Sequence, residues 1–272
     1  MLSFIKNELK KFNIELISSL KLSECEIKKP YLIEREGITD GSVVIFAVPY
    51  LSKEAFGERN ISSYAVSRDY HIFFNLLFEK VIGELKLHYP EHKFAGFTDH
   101  SPINEIVAAA KAGLGVIGEN HMLITEKYSS YIFIGEIITD AFLPSLSGAP
   151  ESCEKCEICK RACPVNLNVE GCLSALTQKK GELTIEEKSA IKNSGCAWGC
   201  DICQQVCPHT QKAIKNGTVF SEIDFFNTNL TPLLTSEDIE EMDTDAFKMR
   251  AYSWRGKETI KRNLKLLEGK ES

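Results

Sequence analysis

Nine of the ten cysteines fall between positions 153 and 207. They stand as C-x2-C-x2-C-x3-C-P over Cys153, Cys156, Cys159 and Cys163, and as C-x2-C-x3-C-P over Cys200, Cys203 and Cys207. A [4Fe–4S] cluster needs four thiolates around a cube, and C-x2-C spacings let one turn of chain present three of them while its amides donate hydrogen bonds to the sulfurs. Where two clusters share such a chain, the cysteine before proline ligates the other cluster. Cys153, Cys156 and Cys159 therefore pair with Cys207, and Cys163 joins Cys200 and Cys203. The second set is one ligand short, with Cys172 and Cys196 as candidates. Paired zinc sites are the rival reading, since C-x2-C pairs also bind zinc tetrahedrally; the doubled Cys-Pro signature and the interleaved count favour iron. A disulfide scaffold fits poorly with a long chain that has no secretory leader and clusters its cysteines. Cys25 stands apart and reads as a buried or incidental thiol.

Two clusters imply electron transfer without naming what is reduced, so the first ~145 residues must carry that information. They hold no Walker A motif and no G-x-G-x-x-G after a strand; AGLGVIG (112–118) has that spacing but follows a helical stretch, the wrong context for a dinucleotide loop. It reads equally as a helix C-cap with a turn and as backbone approaching a large flat ligand. VVIFAVPY (43–50) and YIFIGEIIT (131–139) read as buried strands, and 66–87 as a helix from the spacing of Tyr70, Phe73, Phe74, Leu77 and Val81. In 97–125, Ser101 suits an N-cap and Pro102 the first helical position, with alanines carrying the helix to Gly113. The first twenty residues read as one amphipathic helix, and 144–152 as a Pro/Gly/Ser loop that marks a domain boundary. The expected fold class is α+β. An N-terminal α/β domain (1–145) precedes a ferredoxin-like two-cluster domain (146–215), built round metal rather than an apolar core, and a C-terminal extension (216–272) with a basic helix over 247–268.

With 272 residues, 43% apolar and 26% charged, the chain has enough apolar material for a sizeable core, which argues against disorder. The N-terminus has no unbroken apolar stretch, so no membrane partner and a cytoplasmic location are expected. The net charge of −6 speaks against a generic nucleic-acid binder. Yet 247–270 holds eight basic residues against two acidic ones, a local cationic patch. Such a patch could attract RNA phosphate.

Several stretches together resemble the epoxyqueuosine reductase family, cobalamin-dependent iron–sulfur enzymes that complete queuosine in tRNA. They are VVIFAVPY (43–50), ISSYAVSRDYH (61–71), TDHSPINEIVAAAKAGLGVIGENHMLI (98–124), YIFIGEIITD (131–140), CEKCEICKRACPV (153–165), GCLSALT (171–177), WGCDICQQVCPHT (198–210) and RGKETIKRNL (255–264). The resemblance spans most of the chain. It implies cobalamin in the N-terminal domain, reduced through two [4Fe–4S] clusters, with Asp99 as proton donor and cofactor contact. It favours Cys172 over Cys196 as the missing ligand, and places Leu123, Ile134, Ser174, Cys200 and Asp201 against the corrin, with Arg35 also in reach. It further implies a tRNA partner, an external low-potential donor such as flavodoxin or ferredoxin, and a monomer. RDYH (68–71) is expected to shape the pocket.

Two departures stand out. The family continues past the RGxxxKRN segment into a helical-repeat domain that helps grip tRNA, whereas this sequence ends at Ser272. Within the glycine block, Glu119 stands where a basic residue is usual and Val116 where tryptophan is usual. The alternatives are therefore a cobalamin-dependent reductase of a small molecule, akin to reductive dehalogenases, and a non-catalytic electron carrier.

Overall fold

The computed structural model describes residues 1–270, leaving the last two residues of the 216–272 extension outside the description. The strands are β1 (Leu16–Lys21), β2 (Ser42–Pro49), β3 (Phe94–Phe97), β4 (Val116–Ile117), β5 (Leu123–Ile124) and β6 (Ile132–Thr139). The helices of the N-terminal part are α1 (Leu2–Lys10), α2 (Tyr31–Glu34), α3 (Tyr70–His88) and α4 (Glu105–Lys111). Those of the cysteine region are α5 (Ile158–Ala162), α6 (Leu173–Thr177), α7 (Ile185–Ser194), α8 (Ile202–Gln205) and α9 (Pro208–Asn216). The chain closes with α10 (Ser236–Glu241), α11 (Thr244–Lys248) and α12 (Lys257–Glu268).

Four strands form a sheet in the order β1-β2-β6-β3, antiparallel at every pair, and β4 and β5 make a separate small hairpin. β2 is buried along its whole length, which is why it reads as continuous apolar sequence. Successive side chains alternate between faces. Val44, Phe46 and Val48 enter a core with Ile5 and Leu9 of α1 and Phe73, Phe74, Leu77, Val81 and Leu85 of α3. Val43 and Ile45 face the opposite core, with Leu32, Ile33 and the alanines of α4. Helices thus cover both faces of an antiparallel sheet, a mixed fold as the sequence suggests.

Several expected boundaries move. The N-terminal helix stops at Lys10, because Asn13 turns the chain at φ 58° and residues 16–21 become the edge strand β1. α3 begins at Tyr70, capped by the Asp69 carboxylate accepting from the His71 amide at 3.0 Å. Ser101 does not cap α4. Its hydroxyl is taken by Glu136 and by the Ile103 amide, Ile103 bridges to Ile27, and Asn104 caps the helix instead. The basic terminal helix is two helices, α11 and α12, separated by a 3-10 turn over Ser253–Arg255.

The cysteine region also has an apolar core of its own. Leu173, Leu183 and Ile191 pack with Leu266 of α12, and the fully buried Trp198 packs with Ile61, Tyr252, Ile260 and Leu264. Beyond α9, Val219, Ile223 and Phe226 return to the first sheet core, so the chain crosses the expected division at residue 215.

Candidate active site

Cys153, Cys156, Cys159 and Cys207 line one cavity together with Glu119, Asn120 and His209. The set is sewn to the β4–β5 hairpin. Ile117 donates to the Glu151 carbonyl at 2.8 Å, the Cys153 amide donates to the Ile117 carbonyl at 2.9 Å, and the Glu119 amide donates to Cys153 Sγ at 3.3 Å. The remaining cysteines form a second neighbourhood. Burial first, then Asp201, Cys172 and Cys163, raises the Cys200 thiol to about 11; burial, then Cys200, Cys163 and Cys172, raises Cys203 to about 12. Cys196 behaves differently. Its Sγ donates to the Trp198 and Gly199 carbonyls at 3.3 and 3.4 Å, the bonding of a protonated thiol, and burial pushes it to about 12. Among the described residues no group of three or more such side chains converges as on a single metal ion.

Cys172 reaches the second neighbourhood through a polar clamp. The buried Thr177 hydroxyl accepts from the Gly199 amide at 2.9 Å, which ties the Cys172 segment to the loop before Cys200. Asn263 of α12, with no exposed surface, donates to the Thr177 carbonyl at 2.6 Å and to the Ala197 carbonyl at 2.8 Å. The sequence reading missed both residues. A polar side chain between Ile260 and Leu264 on the buried face of an amphipathic helix was the available signal.

Asp99 sits beyond the end of β3 at φ 57°, a left-handed turn that a non-glycine residue rarely adopts. The Tyr70 hydroxyl donates to its Oδ2, His71 Nε2 lies 3.7 Å from the same oxygen, and its amide donates to Glu105 Oε1 at 3.0 Å. Tyr70 is fixed by stacking on Phe133, with ring centroids 4.1 Å apart. Asp69, which caps α3, also holds His71 Nδ1 at 2.8 Å, so Asp69, Tyr70 and His71 join the Asp99 corner, whereas Arg68 lies over the Phe225 ring. The Asp99 side chain keeps 55% of its surface accessible. Desolvation by surrounding protein, then the charge of Asp69, pushes its carboxyl up to about 6 against a weaker pull from Lys29.

The N-terminal end of β6 is where these parts meet. The Ile134 carbonyl accepts from Thr98 Oγ1 at 2.8 Å, and the Ser130 carbonyl accepts from Gln204 of α8 at 2.9 Å. Between them Ile132 and Ile134 are half-buried and pack with Ile117 and the buried Leu123. Ser174 lies on α6, where its carbonyl and hydroxyl accept from the Gln178 amide group at 3.0 and 3.2 Å. The Asp201 carboxylate is wholly engaged, by Arg59 Nη2 at 3.0 Å, the Ser63 amide and hydroxyl at 2.8 and 2.7 Å, and the Ser62 hydroxyl. This buried side chain is thus a strut between the loop after β2 and the cysteine region. Arg35 pairs with Glu36 at 3.0 Å on the surface. The glycines of AGLGVIG serve the hairpin itself. Gly113 ends α4 at φ 75°, and a Cβ on Gly115 would strike the Ile124 carbonyl.

The cationic tail is mostly spent within the molecule. Lys261 pairs with Glu240 at 2.7 Å, Lys270 with Glu237 and Glu268 at 3.2 Å, and Arg262 donates to the Gly181 carbonyl at 2.5 Å. Arg250 donates to the Asn229 and Ser67 carbonyls at 2.7 and 3.3 Å.

No family model matches the chain. An epoxyqueuosine reductase of Leadbetterella byssophila is 33% identical over 243 residues, covering 84% of this chain and 78% of that protein. The chain belongs to the epoxyqueuosine reductase family. The epoxyqueuosine reductase of Lactococcus garvieae is 33% identical over 197 residues, covering 68% of this chain, which spans only 52% of that relative's length. Among solved structures, an epoxyqueuosine reductase with an epoxyqueuosine-modified tRNA-Tyr stem loop superposes with a TM-score of 0.76 at 24% identity, over 97% of this chain and 80% of its own. The Bacillus subtilis epoxyqueuosine reductase, with its catalytic aspartate loop swung out of the active site, gives 0.75 at 23% over 97% and 80%. At these identities the solved structures establish the fold. Among the described residues no helix is long and apolar enough to cross a membrane.

Proposed function

We propose that this chain reduces epoxyqueuosine to queuosine in tRNA, with cobalamin as the reacting cofactor and two [4Fe–4S] clusters as its electron supply. The observation that carries the reading is the Asp99 corner: a carboxyl held by Tyr70 and pushed up to about 6, in a member of this family. Conversion of an epoxide to an alkene takes up two electrons and two protons and releases water. Bound cobalamin, once reduced, would supply the electron pair to the epoxide carbon. Asp99 would hold a proton on the oxygen that Tyr70 leaves free and pass it to the departing epoxide oxygen. An acid near its operating pH is effective in that role.

The donor sets suit their cofactors. Cys153, Cys156, Cys159 and Cys207 would hold one cluster, with the Glu119 amide already aimed at a sulfur. Cys163, Cys172, Cys200 and Cys203 would hold the other, and the buried Asn120 side chain lies beside Cys203. Ile132 and Ile134, the latter bonded through its carbonyl to Thr98, would give an apolar wall for a corrin edge, with Leu123 and Ser174 as further contacts. Asp201, its carboxylate fully engaged, would touch the corrin through backbone alone. An external low-potential protein donor would refill the clusters.

Anaerobic reconstitution, addition of cobalamin and single-turnover assay on epoxyqueuosine-containing tRNA test the proposal, with queuosine as the expected product. The internal pairing of the tail favours one competing reading, a small-molecule reductase. Reduction of the free epoxyqueuosine nucleoside without reduction of the tRNA would establish that alternative.

A further inference from the structure

Behind Asp99 lies a carboxyl pair that the proposed chemistry does not use. Glu136 occupies the middle of β6, opposite Ile45 of β2 and Phe97 of β3, and has no exposed surface. Its Oε1 accepts from the Ser101 hydroxyl, but its Oε2 is buried without a donor. The group facing it is the side chain of Glu105, whose Oε1 already accepts from the Asp99 amide. Ionised carboxylates only accept, so the contact becomes a hydrogen bond only when one of the two keeps its proton. Two such charges in contact and out of water cannot both form at low cost.

We propose that Glu105 and Glu136 share one proton and form an acid-pair latch, positioning residues that hold Asp99 in its left-handed turn against Tyr70. Glu136 anchors the loop at Ser101 and Glu105 anchors it at the Asp99 amide, so both ends of the 99–101 segment hang from the pair. Loss of the shared proton sets two charges against each other and loosens both anchors. Besides each other and Ser101, Glu105 faces Asp99 and Lys29, and Glu136 faces Asp99 and Cys25. Lys29 opposes the effect only in part, since its ammonium donates to His100 Nδ1 at 3.1 Å. Burial, then Asp99, pushes Glu105 up to about 7, and burial, then Glu105, holds Glu136 well above the usual carboxylate range.

The inference rests on the Asp99 reading only for its consequence in catalysis, and it is measured without cobalamin or substrate. Protein with reconstituted clusters, in an Asp99→Asn background that removes that residue's own proton, should show an infrared band of a protonated carboxyl at neutral pH that disappears as pH rises. Glu136→Gln should abolish the band. In the otherwise native chain, exchange protection of the Asp99 amide, corrected for intrinsic rate, should fall about tenfold over the same pH interval, the scale of one hydrogen bond. With Glu136→Gln it should be independent of pH, because the new amide donates to Glu105 permanently. Should that variant fail to fold, Glu105→Gln serves for the band. Absence of the band in the Asp99→Asn protein, or unchanged pH-dependent exchange with Glu136→Gln, overturns the latch. An active Asp99→Asn enzyme would end the proton-donor reading and leave the latch standing.

Discussion

The roles proposed for Asp99 and Cys172 depend on what touches each atom. If Asp99 delivers its proton, single-turnover reduction should be fastest below pH about 6 and decline as pH rises through that value, since only the protonated form can donate. A pH-independent rate between about 5 and 8 contradicts it. At the second cysteine set, Cys172→Ser should halve the iron bound after anaerobic reconstitution while Cys196→Ser leaves it whole, because the Cys196 thiol is committed to two carbonyls. The opposite pattern of iron analysis would reassign the ligand. The two cysteine neighbourhoods were legible in the sequence because most of their cysteines lie within a few residues of one another. The contacts that bring Cys172 beside Cys200 were not, since Thr177 and Asn263 lie 22 and 66 residues from their partners Gly199 and Ala197. Glu136 could have been noticed as the lone charge in YIFIGEIIT, though its facing partner Glu105 comes from a different element.

The supports of the site are elements, and their failures should be separable from chemistry. Asn263→Ala in α12 leaves the Thr177 and Ala197 carbonyls without their donor in a buried place, at a cost of about 1–3 kcal/mol. Thermal unfolding should show that loss, and iron should leave the second set more readily than the first. Equal loss from both sets would show that α12 supports the whole fold instead of that loop. Asp201→Ala strands the buried Arg59, an effect of about 3–5 kcal/mol by the usual scale for a broken buried pair. β2 and β6 were readable because central strands are apolar on both faces. The N-terminal segment was not, since its apolar spacing suits a helix and the break at Asn13 is made by pairing of β1 with β2. The start of α4 was misplaced for a similar reason, the Ser101 hydroxyl being drawn away by Glu136.

Across the whole molecule, the carboxyl cluster behind the sheet should set the pH dependence of stability. A carboxyl whose pKa is raised by folding binds its proton more tightly in the folded state, so stability falls as pH rises, from near the unfolded value of 4.5 through about 7 for Glu105. The melting temperature should fall across that interval and Glu136→Gln should flatten the slope; a melting temperature that rises there would contradict the burial argument. α12 and the 219–226 segment return to pack on cores begun earlier, long-range contacts that local sequence pattern does not carry. In the tail, Lys261 and Arg262 are held by Glu240 and Gly181, so reversing them should lower stability before it reports on RNA. The most direct measurement is single-turnover reduction of epoxyqueuosine-containing tRNA by Asp99→Asn, with the cobalt reduced chemically so that electron delivery does not limit. The account predicts intact clusters and cobalamin binding with a rate about 10²–10⁴-fold lower, the scale of a lost general acid; a near-normal rate would contradict it.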